Sequence, residues 1–68
     1  MFDFGKILRE LREEHKLSQM QFAQESGLSQ SAIARYELNK SEPRLTDIKV
    51  IAQFFNVSAD YLLGLKDE

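Results

Sequence analysis

The sequence predicts an all-α fold in which five short helices form a compact bundle. Apolar residues recur three or four positions apart in each stretch between turns, and no stretch alternates apolar and polar residues as a strand does. Serines precede three of these stretches, where a hydroxyl can cap the first turn of a helix. Because the connections are short, we expect residues 1–68 to form one domain.

The composition argues against several classes of protein. The chain has 68 residues, no cysteine and a net charge of −2, so disulfides and thiolate metal sites are excluded. The acidic balance argues against a protein that coats nucleic acid without regard to sequence, since such binding needs a strongly basic surface. The sequence contains neither a basic leader nor a run of about 20 apolar residues, so we expect a cytoplasmic protein without a membrane span.

The first predicted helix covers about residues 3–15. Its apolar face repeats at helical spacing through Phe4, Ile7, Leu8, Leu11 and His15. His15 is the only histidine, and the sequence has no glycine-rich phosphate loop. We therefore expect a structural role for His15, and neither enzymatic activity, a metal site nor a cofactor.

The segment from Leu17 to Ile33 contains the same helix-start pattern twice, on either side of Gly27. In each copy a leucine and a serine precede the helix, so that the serine can cap it and the leucine can pack on its next turn. Glycine can end the first of the two helices with a left-handed backbone. The pattern predicts helix two over about Gln19–Ser26 and helix three over about Gln30–Leu38, a geometry that can present a helix to the DNA major groove.

Two more helices are expected after a turn. Asn39 can adopt the left-handed backbone that ends helix three, and Pro43 prevents its continuation. Helix four is marked by apolar residues at helical spacing: Leu45, Ile48, Ile51, Ala52 and Phe55. A short helix five begins after Ser58 and ends at Gly64.

Helix three has one apolar side and one polar side. Its outer side is predicted to carry Gln30, Ser31, Ala34, Arg35 and Leu38. Arginine can pair with guanine and glutamine with adenine, while alanine can touch a thymine methyl group. A polar helix face can also be merely solvated, and it is the preceding turn that favours contact with DNA.

Glu37 falls on the inner side of helix three, beside Ile33 and Tyr36. A carboxylate that faces a small core needs a cation. Arg12, near the end of helix one, is the expected partner, and the pair would fasten helix one to helix three.

These residues resemble the lambda-repressor-like family of helix-turn-helix regulators, also described as the xenobiotic-response-element type or Cro-like. The resemblance covers about Gly5–Gly64. It rests on Arg9-Glu10-Leu11-Arg12, Leu17-Ser18-Gln19, Phe22-Ala23, Gly27-Leu28-Ser29-Gln30-Ser31, Ile33, Tyr36-Glu37, Pro43, Ile51-Ala52, Val57 and Asp60-Tyr61-Leu62-Leu63-Gly64.

The resemblance implies a set of DNA contacts. Gln19 is expected to touch phosphate and to support the neighbouring glutamine. Groove contacts are expected from Ser29, Gln30, Ser31 and Arg35, and backbone contacts from Lys40 and Arg44. Ala34 and Asn39 complete the expected DNA-binding set. The positions of Arg12 and Glu37 match an ion pair between helices that is characteristic of this family.

The sequence also departs from the family pattern. Asn39 replaces a glycine, and Arg44 stands where a serine often caps helix four, which leaves Thr46 and Asp47 to serve that helix start. Val50 and Phe54 form an apolar stripe on the outer side of helix four. We expect either that Phe2 or Leu65 covers this stripe or that a second chain binds to it.

The resemblance implies a homodimer that joins through the end formed by helices four and five. The expected interface comprises Val50, Phe54, Ser58, Ala59 and Leu62. Such a dimer would place two recognition helices about 34–36 Å apart on an inverted repeat.

Two functions from different classes remain open. The first is a sequence-specific transcriptional regulator that binds double-stranded DNA as a repressor. The alternative is an antitoxin-like or other protein-binding helical module for which DNA is secondary, as the acidic balance and the stripe on helix four would suggest.

Overall fold

Five α-helices make up the computed structural model, which describes residues 2–66. They are α1 (Phe4–Glu14), α2 (Gln19–Ser26), α3 (Gln30–Glu37), α4 (Leu45–Phe55) and α5 (Ala59–Leu62). No strand occurs within residues 2–66, so the predicted all-α fold is confirmed. None of the helices in that range has the length and apolarity needed to cross a bilayer.

Side-chain caps begin four of the five helices. Asp3, Ser18, Ser29 and Ser58 each accept a hydrogen bond from a backbone amide in the first turn. At α2 the bond is reciprocal, because Gln21 N donates to Ser18 Oγ (3.0 Å) and Ser18 N donates to Gln21 Oε1 (2.8 Å). The fourth helix begins at Leu45, and its N-cap residue Arg44 provides no side-chain cap, as expected where a serine is missing.

Left-handed residues end several of the helices. Gly27 has φ 84° at the end of α2, and Asn39 has φ 57° after α3. Lys16 and Asn56 are also left-handed, which the sequence pattern did not indicate. Leu38 is the C-cap of α3, so this helix ends at Glu37, one residue earlier than predicted.

The core lies where α1, α3, α4 and α5 meet around Phe22 of α2. Its fully buried side chains are Leu8, Phe22, Ile33, Ile51 and Leu62. Gly5 lets α1 approach the end of α3 closely, since a Cβ at this position would lie 2.5 Å from the Glu37 carbonyl oxygen. The backbone of α1 therefore packs directly on the backbone of α3.

Arg12 and Glu37 form the ion pair that joins α1 to α3. Arg12 Nε donates to Glu37 Oε2 (2.7 Å) and Arg12 Nη2 donates to Glu37 Oε1 (2.9 Å), the geometry of a bidentate pair. Gln19 Nε2 donates to Glu37 Oε1 (3.0 Å), and Arg12 Nη1 donates to the Leu17 carbonyl (2.8 Å). The hydrogen bond to Glu37 raises the pKa of Arg12 above its ordinary value. One buried carboxylate thus connects α1, α2 and α3.

Tyr36 connects α3 to α4 on the other side. Its hydroxyl donates to Asp47 Oδ2, and both residues are buried. The ring of Phe4 packs edge-on against the ring of Tyr36, with centroids 5.9 Å apart. Burial and the bond to the Asp47 carboxylate raise the pKa of Tyr36 above 10.0. This contact was not predicted from the sequence.

We expect Arg12→Ala to lower the free energy of unfolding by about 3–5 kcal/mol, because Glu37 would stay buried without its cation. Urea denaturation followed by circular dichroism measures the change. Arg9→Ala is the matched control, since Arg9 is an exposed arginine on the same helix. Equal denaturation midpoints for the two variants would contradict the role assigned to the ion pair.

Stability should also fall at alkaline pH because of Tyr36. The folded state holds the hydroxyl proton more tightly than the unfolded chain, whose tyrosines ionise near 10.0. Above that pH the unfolded state binds fewer protons, so the free energy of unfolding decreases as pH rises. Urea midpoints between about pH 8 and pH 11 should show a smaller decrease in Tyr36→Phe than in Tyr61→Phe. Parallel curves for the two variants would exclude Tyr36 as the source.

Candidate nucleic-acid interface

The pair α2 and α3 is held together by apolar residues on both sides of the turn. Phe22 and Ile33 are fully buried, and Leu17 and Leu28 pack against the core as the residues before the two serine caps. The Gly27 amide donates to the Ala23 carbonyl (3.0 Å) and closes the end of α2. The turn thus fixes the direction in which α3 leaves α2.

The outer face of α3 is available to a partner. Gln30, Ser31 and Arg35 are exposed and Ala34 is half-buried, whereas the inner face is buried. Ser29 is exposed at the start of the helix, where its Oγ accepts from the Ala32 amide (3.1 Å) and its hydroxyl proton stays free to donate. The predicted division of this helix into inner and outer sides is present in the structure.

A depression of about 440 Å³ lies between α3 and the loop that leads to α4. It is lined on the α3 side by Ser29, Ser31 and Arg35, and on the loop side by Ser41, Glu42 and Arg44. The fold therefore brings Arg44 beside three of the residues expected in the DNA groove. Glu42 is an acid within this set, which the sequence interpretation did not include.

Asn39 and Gln19, two of the expected DNA contacts, use their side-chain amides in hydrogen bonds within the chain. Asn39 Oδ1 accepts from the Gly5 amide (3.0 Å) and Asn39 Nδ2 donates to Asp3 Oδ1 (2.6 Å). These bonds fasten the loop after α3 to the start of α1, and the bond from Asn39 holds the pKa of Asp3 below its ordinary value. The side-chain amide of Gln19 donates to Glu37, a contact that the sequence did not predict.

The backbone of Arg44 is bonded within the chain, whereas most of its side chain is exposed. Its amide donates to the Tyr36 hydroxyl (3.4 Å), and its Nε lies 3.6 Å from Asp47 Oδ2. The side chain is nevertheless 77% exposed. With Arg35, which is also exposed, Arg44 places two cations at the depression. Lys40 is exposed in the loop after α3, where its amide donates to the Arg35 carbonyl (2.9 Å).

One of the five residues expected in a dimer interface lies in the core. Leu62 is fully buried in the core, so the prediction that it lies on an interface is wrong for this fold. Phe54 is half-buried, and its ring centroid lies 5.0 Å from that of Phe22 and 4.9 Å from that of Phe55. Phe2 lies against Gly64, and Leu65 is exposed. Val50, Ser58 and Ala59 are at least partly exposed.

Within residues 2–66, no three histidine or acidic side chains are close enough together to hold a metal ion. His15 packs on the ring of Phe55 with centroids 4.9 Å apart, and its Nδ1 lies 2.9 Å from the Leu11 carbonyl oxygen. Its contacts are those of a residue that closes the end of α1.

Comparison with protein families matches residues 8–62 to a helix-turn-helix domain. The chain is 39% identical over 61 residues to the uncharacterized HTH-type transcriptional regulator YobD of Bacillus subtilis (strain 168), which covers 90% of this chain and 54% of that protein. It is 36% identical over 62 residues to the HTH-type transcriptional activator BcrR of Enterococcus faecalis (91% of this chain and 30% of the relative). It is 38% identical over 60 residues to the antitoxin PezA of Streptococcus pneumoniae serotype 4 (88% and 38%).

The chain thus spans about half the length of these curated relatives or less. No solved structure matches it. The family match includes α2, α3 and the turn between them, the elements whose geometry is described above. The chain therefore belongs to the Cro/C1-type helix-turn-helix family.

Proposed function

We propose that this chain binds a specific DNA sequence by inserting α3 into the major groove. The observation that carries the proposal is the outer face of α3. Gln30, Ser31 and Arg35 are exposed there, while Ile33, Tyr36 and Glu37 hold the opposite face in the core. A helix fixed in this way can offer hydrogen-bonding side chains to base edges without losing its own packing.

The residues take different roles in this proposal. Arg35 reads a guanine and Gln30 an adenine, because their side chains can form two parallel hydrogen bonds with those bases. Ser29 and Ser31 make less selective contacts, and Ala34 packs against a thymine methyl group. Lys40, Arg44 and the free amide atoms of Gln19 contact phosphates, which set affinity and register rather than sequence preference.

Repression is the form of regulation that we propose. A domain that fills the major groove of a promoter blocks access by occupancy alone and needs no further contact. Activation is the alternative, because one relative is named as a transcriptional activator. Binding to DNA in this way would take place in the cytoplasm.

A homodimer on an inverted repeat is the proposed binding form. The end of the molecule formed by α4 and α5 offers the exposed Ser58 and Ala59 and the half-buried Val50 and Phe54. A two-fold interface at this end would direct two copies of α3 to successive major grooves on one side of the duplex.

The second candidate is a protein-binding module of the antitoxin kind. It is favoured by the net charge of −2 and by the relative whose printed name is an antitoxin. Selection of duplexes from a random pool, followed by anisotropy titration at two salt concentrations, separates the candidates. A regulator enriches one sequence and retains its preference at the higher salt, whereas a module for which DNA is secondary enriches none.

Arg35→Ala should lower affinity for the selected duplex by about 1–3 kcal/mol and relax the preference at one base pair. Lys40→Ala is the matched variant, because it also removes one exposed cation beside α3. It should weaken binding to selected and scrambled duplexes alike and flatten the salt dependence by about one unit of slope. Equal losses on the two duplexes for Arg35→Ala would contradict its role in reading a base.

Val50→Lys should weaken self-association, because it places a charge in the proposed interface. Gln53→Lys is the control, since it adds the same charge at an exposed position of the same helix. Sedimentation equilibrium over a range of protein concentrations measures both variants. A dimer equally stable in the two would remove α4 from the interface, and a parent chain that stays monomeric on DNA would end the dimer proposal.

A further inference from the structure

Arg44 occupies an unusual start for a helix. The first turn of α4 has no side-chain cap, although the other four helices have one. In place of a cap, the Arg44 amide donates to the hydroxyl of Tyr36, a residue of α3 (3.4 Å). The start of α4 is therefore tied to α3 as well as to its own first turn.

The hydroxyl of Tyr36 acts as a bridge. A phenol has one proton to donate and lone pairs with which to accept. Tyr36 donates its proton to Asp47 and accepts from the Arg44 amide, so both ends of the first turn of α4 meet the same oxygen. Tyr36 directly follows Arg35 in α3. The bridge through its hydroxyl therefore restricts how far the backbone of Arg44 can move relative to that of Arg35.

Asp47 also holds the side chain of Arg44. The carboxylate is 7% exposed and lies 3.6 Å from Arg44 Nε, whereas the Arg44 side chain is 77% exposed. An exposed arginine normally samples many rotamers and loses that freedom when it binds. The ion pair with Asp47 favours rotamers that keep Nε near this carboxylate, and the four N–H groups of the two terminal nitrogens remain to fork onto an anion.

From this geometry we infer that Tyr36 and Asp47 are positioning residues for DNA binding. They hold Arg44 across the depression from Arg35, so that Arg44 contacts a phosphate while α3 lies in the major groove. The inference rests on the proposed function, since it concerns how the same face engages DNA. A purely structural role for Tyr36 and Asp47 would stabilise α4 without any dependence on Arg44. If Tyr36 acts through Arg44, the two substitutions together should lower DNA affinity little more than Arg44→Ala alone. If its role is purely structural, the two losses of affinity should add.

The central experiment is a double-mutant cycle on the duplex obtained by selection. Tyr36→Phe, Arg44→Ala and the double variant are titrated at several salt concentrations, with affinities referred to the folded fraction measured in the same buffer. Tyr36→Phe should lower affinity by up to about tenfold and flatten the salt slope toward that of Arg44→Ala. In the Arg44→Ala background the same substitution should have little further effect. Tyr61→Phe, which removes a hydroxyl from α5, should bind as the parent does.

A second variant guards against loss of folding in Tyr36→Phe. Asp47→Asn keeps an oxygen that can accept from Tyr36 but removes the charge that holds Arg44 Nε. Its affinity should fall, although the loss of a negative charge would by itself strengthen binding to DNA. Amide spectra of each variant in the absence of DNA establish that it is folded.

A measurement without DNA separates this inference from the proposed function. In protein labelled with ¹⁵N, the heteronuclear NOE of Arg44 Nε should indicate order in the parent and in Tyr61→Phe, and mobility in Asp47→Asn and Tyr36→Phe. An ordered Arg44 with no enriched duplex would end the proposed function and leave Arg44 anchored as inferred. A mobile Arg44 Nε in the parent, or losses that add in the double-mutant cycle, would overturn the inference.

Discussion

The buried carboxylate of Glu37 is the point on which the rest of this structure depends. A domain of 68 residues buries little apolar surface and has little stability to offset the cost of burying a charge. A buried carboxylate therefore needs both a cation and well-aligned hydrogen bonds. Arg12 supplies two parallel hydrogen bonds from α1, and Gln19 supplies a third from α2. Because all three bonds converge on one residue of α3, the orientation of that helix follows from the placement of the two before it.

The helix α3 is held from two directions. Glu37 fastens it to α1 and α2, and Tyr36 fastens it to α4 through Asp47. These two residues are neighbours on the inner side of α3, directly behind Arg35. Burial on the inner side and exposure on the outer side thus alternate between adjacent positions of a helix only eight residues long.

Much of this arrangement could be predicted from the sequence because its signals are local. Serine caps, Gly27 and Asn39 determine where α2 and α3 begin and end, and the 3.6-residue period separates Ile33 and Glu37 from Gln30 and Arg35. The contact between Tyr36 and Asp47 spans eleven positions and two helices, and no local pattern encodes it. Leu62 was misplaced for a related reason: α5 has four residues, too few for helical spacing to distinguish its core side from its outer side.

Gly5 and Gly27 lack a side chain for different reasons, which matters for anyone who would redesign this scaffold. At Gly5 the space is already filled by the Tyr36 and Glu37 carbonyl oxygens, so even a methyl group would push α1 off α3. At Gly27 nothing lies within 4 Å of where a side chain would begin, and only the φ of 84° disfavours other residues. Asparagine, which the chain itself tolerates in left-handed geometry at positions 39 and 56, would fit there. The turn between α2 and α3 can therefore accept a new side chain, whereas the contact between α1 and α3 at Gly5 cannot.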